Sequence, residues 1–136
     1  MDPFEPQVGV EPLYIKKAEG RAGWLITWRI QNFTADEITI VSARFPHSQF
    51  RGGEKNFSSG LLLPPKGTVE MVLAADFREP PGAVVENAFL ILLLEYRRSQ
   101  WRVFARFRVT ANHRGQPEPV VERVTAQRVG FSGISK

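Results

Sequence analysis

The stretch "VVENAFLILLLEYRRSQWRVFARFRVTA", residues 84–111, contains two strand-like segments joined by the polar turn "RRSQ". From residue 101 to residue 109 every second residue is apolar and the residues between are arginine or phenylalanine. This period of two is that of a β-strand and not of a helix. Placing Arg98 and Ser99 at the tip predicts a hairpin in which Tyr96 faces Trp101. One face of the hairpin is then uniformly apolar, and we predict that it faces the core.

The second face of the predicted hairpin mixes arginine with large apolar side chains. The pairs that this register places across it are Glu95 with Arg102, Leu93 with Phe104, Ile91 with Arg106, and Phe89 with Arg108. A sheet face that meets water should be polar, and leaving large apolar groups wet forfeits on the order of 1.5–3 kcal/mol per side chain. We therefore expect this face to be covered, either by the C-terminal segment "PVVERVTAQRVGFSGI" (residues 119–134) or by a partner.

An apolar centre with an arginine rim is typical of a protein–protein interface. The predicted interface residues are Phe89, Ile91, Leu93, Arg102, Phe104, Arg106 and Arg108. The sequence therefore favours a non-enzymatic interaction or assembly module that binds another protein or a second copy of the chain. The alternative is a stripe that binds anions or nucleic acid. Its predicted residues are Arg97, Arg98, Arg102, Arg106 and Arg108.

The basic part of the chain is its C-terminal third. The net charge of +4 is the sum of −2 over residues 1–90 and +6 over residues 91–136. An acidic partner would be steered toward this end of the chain. Thirteen of the 18 cationic residues are arginine, which is favoured where planar hydrogen bonding matters more than bare charge.

The rest of the chain repeats the strand period. In "GWLITWRIQN", residues 23–32, two tryptophans and two isoleucines share one face. "EITIVSARF" and "KGTVEMVLAADF" predict further strands, and turns rich in glycine and proline separate them. We predict a polar loop from His47 to Lys55, around Gly52 and Gly53. With "YIKKAE" near the start and "PVVERVTAQRV" near the end, the sequence predicts seven or eight strands, no amphipathic helix and an all-β antiparallel fold.

The strand number and the tryptophan on an early central strand resemble those of an immunoglobulin-like domain. The resemblance covers roughly residues 11–127 and implies an antiparallel immunoglobulin-like β-sandwich. The paired cysteines of antibody domains are absent, because the chain has no cysteine. We expect an extended N-terminal segment over residues 1–10 and a C-terminal tail over residues 128–136.

Length and composition predict one soluble globular domain. The chain has 136 residues, of which 43% are hydrophobic and 24% charged. Its lack of cysteine excludes disulfides and fits a reducing compartment. The longest apolar run, Ala88–Leu94, is too short to cross a bilayer as a helix, and the N-terminus has no secretory signal pattern. We therefore expect a cytoplasmic protein with no membrane association.

Few residues carry chemistry. His47 and His113 are the only histidines, and neither lies at ligand or catalytic spacing from another such group. Asp36 and Glu37 are adjacent, so their carboxylates should diverge on an extended chain. The sequence thus predicts no catalytic residue, no cofactor and no metal site. A further alternative is a carbohydrate-binding sandwich that uses exposed tryptophans, although their apolar neighbours favour burial of Trp24, Trp28 and Trp101 in the core.

Overall fold

The computed structural model describes residues 5–18 and 23–130, and within them the chain forms eight β-strands and no helix. The strands are β1 (Val8–Lys17), β2 (Gly23–Asn32), β3 (Ile38–His47), β4 (Phe50–Leu63), β5 (Thr68–Asp76), β6 (Val84–Tyr96), β7 (Ser99–Ala111) and β8 (Pro117–Arg128). Every neighbouring pair is antiparallel. The predicted all-β antiparallel class is therefore confirmed. In the described part of the chain, no helix is long and apolar enough to span a bilayer.

All eight strands belong to one sheet, in the order β1-β2-β5-β4-β3-β6-β7-β8. The sheet curls until its two edge strands, β1 and β8, contact each other. The result is a nearly closed, barrel-like sheet around a single core. An immunoglobulin-like sandwich has two separate sheets, so this finer assignment stays a prediction.

The core is built from side chains that alternate along the strands and meet at one cluster of rings. Trp28, Phe45, Phe50 and Phe107 come from four different strands and are fully buried. The ring of Phe107 lies 5.4 Å from that of Trp28 and 5.2 Å from that of Phe50, both between centroids. Tilted and edge-on pairs of this kind are worth about 0.5–1.5 kcal/mol beyond their buried area. The burial predicted for Trp28 is confirmed.

β6 and β7 form the predicted hairpin, but the predicted register is wrong by two residues. The turn consists of Arg97 and Arg98, whose φ angles are 50° and 65°, and Tyr96 pairs with Ser99. A two-residue turn with both residues at positive φ matches the twist of the strands and usually contains asparagine and glycine, so a pair of arginines conceals it in the sequence.

A shift by two residues leaves every side chain of the hairpin on its predicted face. The predicted core face is confirmed, because its residues are all buried: Leu90, Leu92, Leu94, Tyr96, Trp101, Val103, Ala105 and Phe107. The pairs on the other face change. They are Glu95 with Gln100, Leu93 with Arg102, Ile91 with Phe104, and Phe89 with Arg106. The predicted pairing of Glu95 with Arg102 is therefore wrong.

The predicted loop from His47 to Lys55 is wrong, because β4 begins at Phe50 and pairs with β3. The Phe50 ring is fully buried against Phe45, at 5.1 Å between centroids, and this burial anchors the start of the strand. β4 is irregular further on, where residues 57–60 lie opposite Val41 alone. Extra residues of this kind bend a strand away from its neighbours.

In the described part of the chain, the gap between β4 and β5, which we call the seam, is where neighbouring strands of the sheet barely pair. β5 pairs with β2 along its whole length, from Gly23 opposite Asp76 to Gln31 opposite Thr68. With β4 it pairs only where Arg51 lies opposite Asp76. The seam therefore leaves one long edge of β5 without a strand partner.

The C-terminal strand extends the sheet and does not lie across its face. β8 pairs side by side with β7, from Trp101 opposite Arg128 to Ala111 opposite Pro117. The expectation that residues 119–128 cover the second face of the hairpin is therefore wrong. Phe131 and Ile134, the other apolar residues of that segment, lie outside the described residues. The predicted boundaries of the domain stay predictions.

Candidate interaction surface

The outer face of the hairpin is the side of β6 and β7 that points away from the core, and it carries the predicted apolar residues. Ile91 is only 8% exposed, and Phe89, Leu93 and Phe104 are half-buried. Phe89 and Phe104 meet edge to face with their centroids 6.4 Å apart. Neighbouring side chains on this face thus shield part of the apolar row from water.

Two arginines of the predicted interface lie against a carboxylate of β8. Arg106 and Arg108 approach Glu122 at 3.9 and 3.5 Å. The 3.9 Å contact of Arg106 with Glu122 is an ion pair but is too long for a hydrogen bond. The buried Nε of Arg106 therefore has no hydrogen-bond acceptor among the described residues. The charge on this end of the outer face is therefore partly neutralised within the chain.

Two further arginines lie in the turn of the hairpin. The Nε of Arg97 donates to Asp36 at 2.7 Å, and its guanidinium stacks over the ring of Tyr96 at 5.5 Å. The hydrogen bond to Asp36 raises the pKa of Arg97. The five arginines of the predicted anion-binding stripe therefore have different surroundings: Arg97 is held at the turn, and Arg106 and Arg108 share Glu122.

Arg102 is placed differently from these arginines. It lines a groove of about 700 Å³ together with Arg44 of β3 and Arg51 of β4, and Ile91 and Leu93 form apolar parts of the wall. All three arginines are exposed. Within residues 5–18 and 23–130, none of the three forms an ion pair. We call this feature the arginine groove.

One carboxylate lies in the arginine groove and is held by a neighbour. Glu54 accepts a hydrogen bond from the Ser42 hydroxyl at 3.0 Å. Three arginines and one glutamate leave the groove with a net charge of about +2. The groove thus joins apolar surface to an excess of planar cationic donors.

Arg44, Arg51 and Glu54 belong to this site, although the sequence analysis did not identify them. Arg51 and Glu54 fall in the stretch predicted as a loop, and a loop gives no face on which to place them. Arg44 is two residues from Ser42 on a predicted strand, so the sequence alone places both on the same face. That it lies beside the hairpin depends on the pairing of β3 with β6, where Arg44 is opposite Ile91.

The tryptophans do not form an exposed platform. Trp28 is fully buried, and Trp101 is 4% exposed beneath the guanidinium of Arg128. Trp24 is half-buried and donates its indole N–H to the Phe77 carbonyl at 3.2 Å. The burial predicted for Trp28 and Trp101 is confirmed.

Within the described chain, the fold brings no catalytic or metal-binding group to His47 or Asp36. The Nδ1 of His47 accepts a hydrogen bond from the backbone N–H of Gln49 at 3.0 Å, so this lone pair is engaged within the turn. Among the described residues, no group of three metal-ligating side chains occurs. Asp36 forms an ion pair with Arg97.

No known family model matches the chain, and no curated protein sequence is significantly similar to it. The residues of this surface are therefore the guide to what the chain binds.

Proposed function

We propose that the chain is a non-enzymatic protein-interaction module that binds through the outer face of the β6–β7 hairpin, with the arginine groove as its centre. The observation that carries the proposal is the convergence of Arg44, Arg51 and Arg102 on an apolar wall, with no ion pair to any of them in the described chain. Buried or half-buried apolar groups rimmed by arginine are the usual composition of a binding hot spot.

The charge of the groove indicates the chemistry of the partner. An excess of arginine beside Ile91 and Leu93 fits a protein segment that carries carboxylates next to apolar side chains. Arginine binds carboxylate in a planar, two-point geometry, so three arginines around one groove favour acidic side chains over neutral ones. We therefore propose an acidic protein partner.

Nucleic-acid binding remains the second candidate and has less support. A single-stranded nucleic acid needs a continuous basic track with open aromatic faces. Phe104 is half-buried against Phe89, and Glu122 interrupts the basic track beside Arg106. The cytoplasmic location and the homo-oligomeric state expected from the sequence stay predictions.

The order of the strands supports the finer fold assignment. An immunoglobulin-like domain places its first, second and fifth strands together in one sheet, and its third, sixth and seventh in the other. The chain has the neighbours β1-β2-β5 and β3-β6-β7 in the same order. We propose that the sheet is an immunoglobulin-like sandwich whose two halves meet at the single Arg51–Asp76 bridge.

The test compares two arginines on the same face of β7. Arg102 lies in the arginine groove and forms no ion pair within the described residues, whereas Arg106 faces Glu122. Short peptides that combine glutamate with leucine or phenylalanine are titrated against wild type, Arg102→Gln and Arg106→Gln by fluorescence anisotropy. We expect Arg102→Gln to weaken binding about tenfold and Arg106→Gln to change it by less than about twofold.

Equal losses in the two variants would contradict the proposal and indicate binding by diffuse positive charge. A single-stranded oligonucleotide in the same assay tests the second candidate, since its affinity should fall steeply with salt. Light scattering of wild type and Leu93→Glu tests whether a second copy of the chain binds to this face instead. A dimer that becomes a monomer in Leu93→Glu would show that a second copy covers this face.

A further inference from the structure

The seam exposes a strand edge that the rest of the sheet leaves unused. Successive backbone groups of a strand point to alternate sides, so half of those in β5 are directed toward β2 and half toward the seam. Since β4 pairs with β5 only at Asp76, the seam-facing groups from Thr68 to Ala75 have no strand partner within residues 5–18 and 23–130. Such an edge is a template for another strand.

The glycines of β4 explain why the seam opens where it does. A Cβ on Gly52 would lie 2.5 Å from the Ala74 carbonyl oxygen, so only glycine permits the close approach beside the Arg51–Asp76 bridge. A Cβ on Gly53 would meet nothing within 4 Å. The two strands therefore touch at Gly52, and beyond it no described residue of β4 pairs with β5.

The separation creates a groove of about 350 Å³ with apolar walls. Its residues are Leu25, Ala43, Phe45, Gly53, Lys55, Val72, Leu73 and Ala74. Val72 is 46% exposed on the β5 side of the seam. Lys55 is the one charged residue of the groove, and its ammonium donates to the Val72 carbonyl at 3.3 Å. The Lys55 side chain thus donates to a backbone carbonyl that normally accepts from the backbone N–H of a neighbouring strand.

The charges along the seam favour an acidic occupant. Beyond Gly53 the groove continues into a wider one lined by Arg51, Asp76 and Arg78. Asp76 is paired with Arg78 at 2.9 Å, so among the residues that line these two grooves Arg51 and Lys55 are left as the excess charge. An extended segment of the opposite charge is complementary to this edge.

We propose that the free edge of β5 is a strand-addition site that takes an extended segment of another protein, with a carboxylate side chain at Lys55 and apolar side chains beside Val72. The backbone amide of the incoming strand replaces the Lys55 ammonium at the Val72 carbonyl, and the released ammonium pairs with the carboxylate. Main-chain hydrogen bonds supply the affinity and the charge supplies the selection, as in other cases of strand addition. This site adjoins the arginine groove, with which it shares Arg51 and Gly53, and differs from it in Lys55 and Val72.

The test uses a fluorescein-labelled peptide, about eight residues long, in which valine alternates with glutamate. A second peptide has the same side chains but carries N-methyl groups on alternate backbone nitrogens, on the edge that would pair. We expect saturable binding of the first peptide and at least about tenfold weaker binding of the second, because methylation removes the backbone donors. Amide exchange within residues 68–75 should slow when the first peptide is bound.

Two variants separate this proposal from the proposed function. Lys55→Glu should weaken the peptide about fivefold or more, whereas Arg102→Gln, which lies in the arginine groove, should change its affinity by less than about twofold. Lack of saturable binding, equal affinity of the methylated peptide, or unchanged exchange in residues 68–75 would each overturn the proposal. A dimer of the free protein in which residues 68–75 are already protected would overturn it in favour of self-pairing.

Discussion

The β6–β7 hairpin and the β4–β5 seam hold neighbouring strands together in opposite ways. In the hairpin, pairing runs from the turn at Arg97 to Val84 with one interruption, and β3 and β8 flank it on both sides. In the seam a single bridge, Arg51 opposite Asp76, joins two long strands. The hairpin therefore satisfies most of its backbone within the sheet, whereas the seam leaves backbone groups of β5 without a strand partner in the described chain.

The difference follows from the residues that each region contains. The hairpin alternates large apolar side chains with arginine, so both strands bury one face and fix their register. β4 has Gly52 and Gly53 near its start and bulges over residues 57–60, of which only Phe57 offers a large apolar side chain to hold a register against β5. A continuous row of buried side chains fixes the pairing of the hairpin, and β4 lacks such a row beside β5.

The largest effect that should distinguish the two regions is on stability. Phe107→Ala removes the ring that contacts Trp28, Phe45 and Phe50, and should lower the free energy of unfolding by about 3–5 kcal/mol. Val72→Thr on the seam keeps the β-branched shape at a half-exposed site and should change it by less than about 0.5 kcal/mol. Urea denaturation measures both. Similar losses would show that the seam is packed as the hairpin is.

A smaller effect should come from the two glycines at the bridge. Gly52→Ala places a methyl group 2.5 Å from the Ala74 carbonyl oxygen and should destabilise the protein by about 1–3 kcal/mol. Gly53→Ala is the matched control, since its methyl group meets no atom within 4 Å, and should stay within about 0.5 kcal/mol of wild type. If Gly52→Ala is also neutral in thermal or urea unfolding, β4 does not approach β5 as described.

The smallest effect is expected at the turn of the hairpin. Arg98 has a φ of 65°, which glycine adopts more easily, so Arg98→Gly should raise the free energy of unfolding by about 0.5–1 kcal/mol. Arg114, an exposed arginine in another turn, has no positive φ, and Arg114→Gly should stabilise nothing. Denaturation midpoints of the two variants test this. Destabilisation by Arg98→Gly would argue against the two-residue turn.

The hairpin shows how far the sequence alone leads. Its period of two identified both faces, and the burial of Leu92 and Val103 on the core face agrees. The register was wrong because the turn carries arginine at Arg97 and Arg98, where turn chemistry predicts asparagine or glycine. An alternating pattern thus predicts which face of the strand a residue occupies, but it does not predict which residue of the neighbouring strand lies opposite.

The arginine groove and the seam were harder to predict because both depend on strands that are distant in sequence. Arg44 reaches the hairpin only through the pairing of β3 with β6, and the seam exists only because β5 lies between β2 and β4. The polar stretch around Gly52 reads as a loop, since the single buried ring of Phe50 gives no period. Pairing order between distant strands is a tertiary property that local pattern does not contain.

Amide hydrogen exchange of the free protein tests the central claim, that β5 has an unpaired edge while residues 91–95 of β6 are paired on both sides. Because backbone groups alternate in direction, about half of the amides in residues 68–75 should exchange quickly, whereas nearly all those in residues 91–95, which pair with both β3 and β7, should be protected. Full protection of residues 68–75 would contradict the open seam, and so would exchange that is equally fast in both segments.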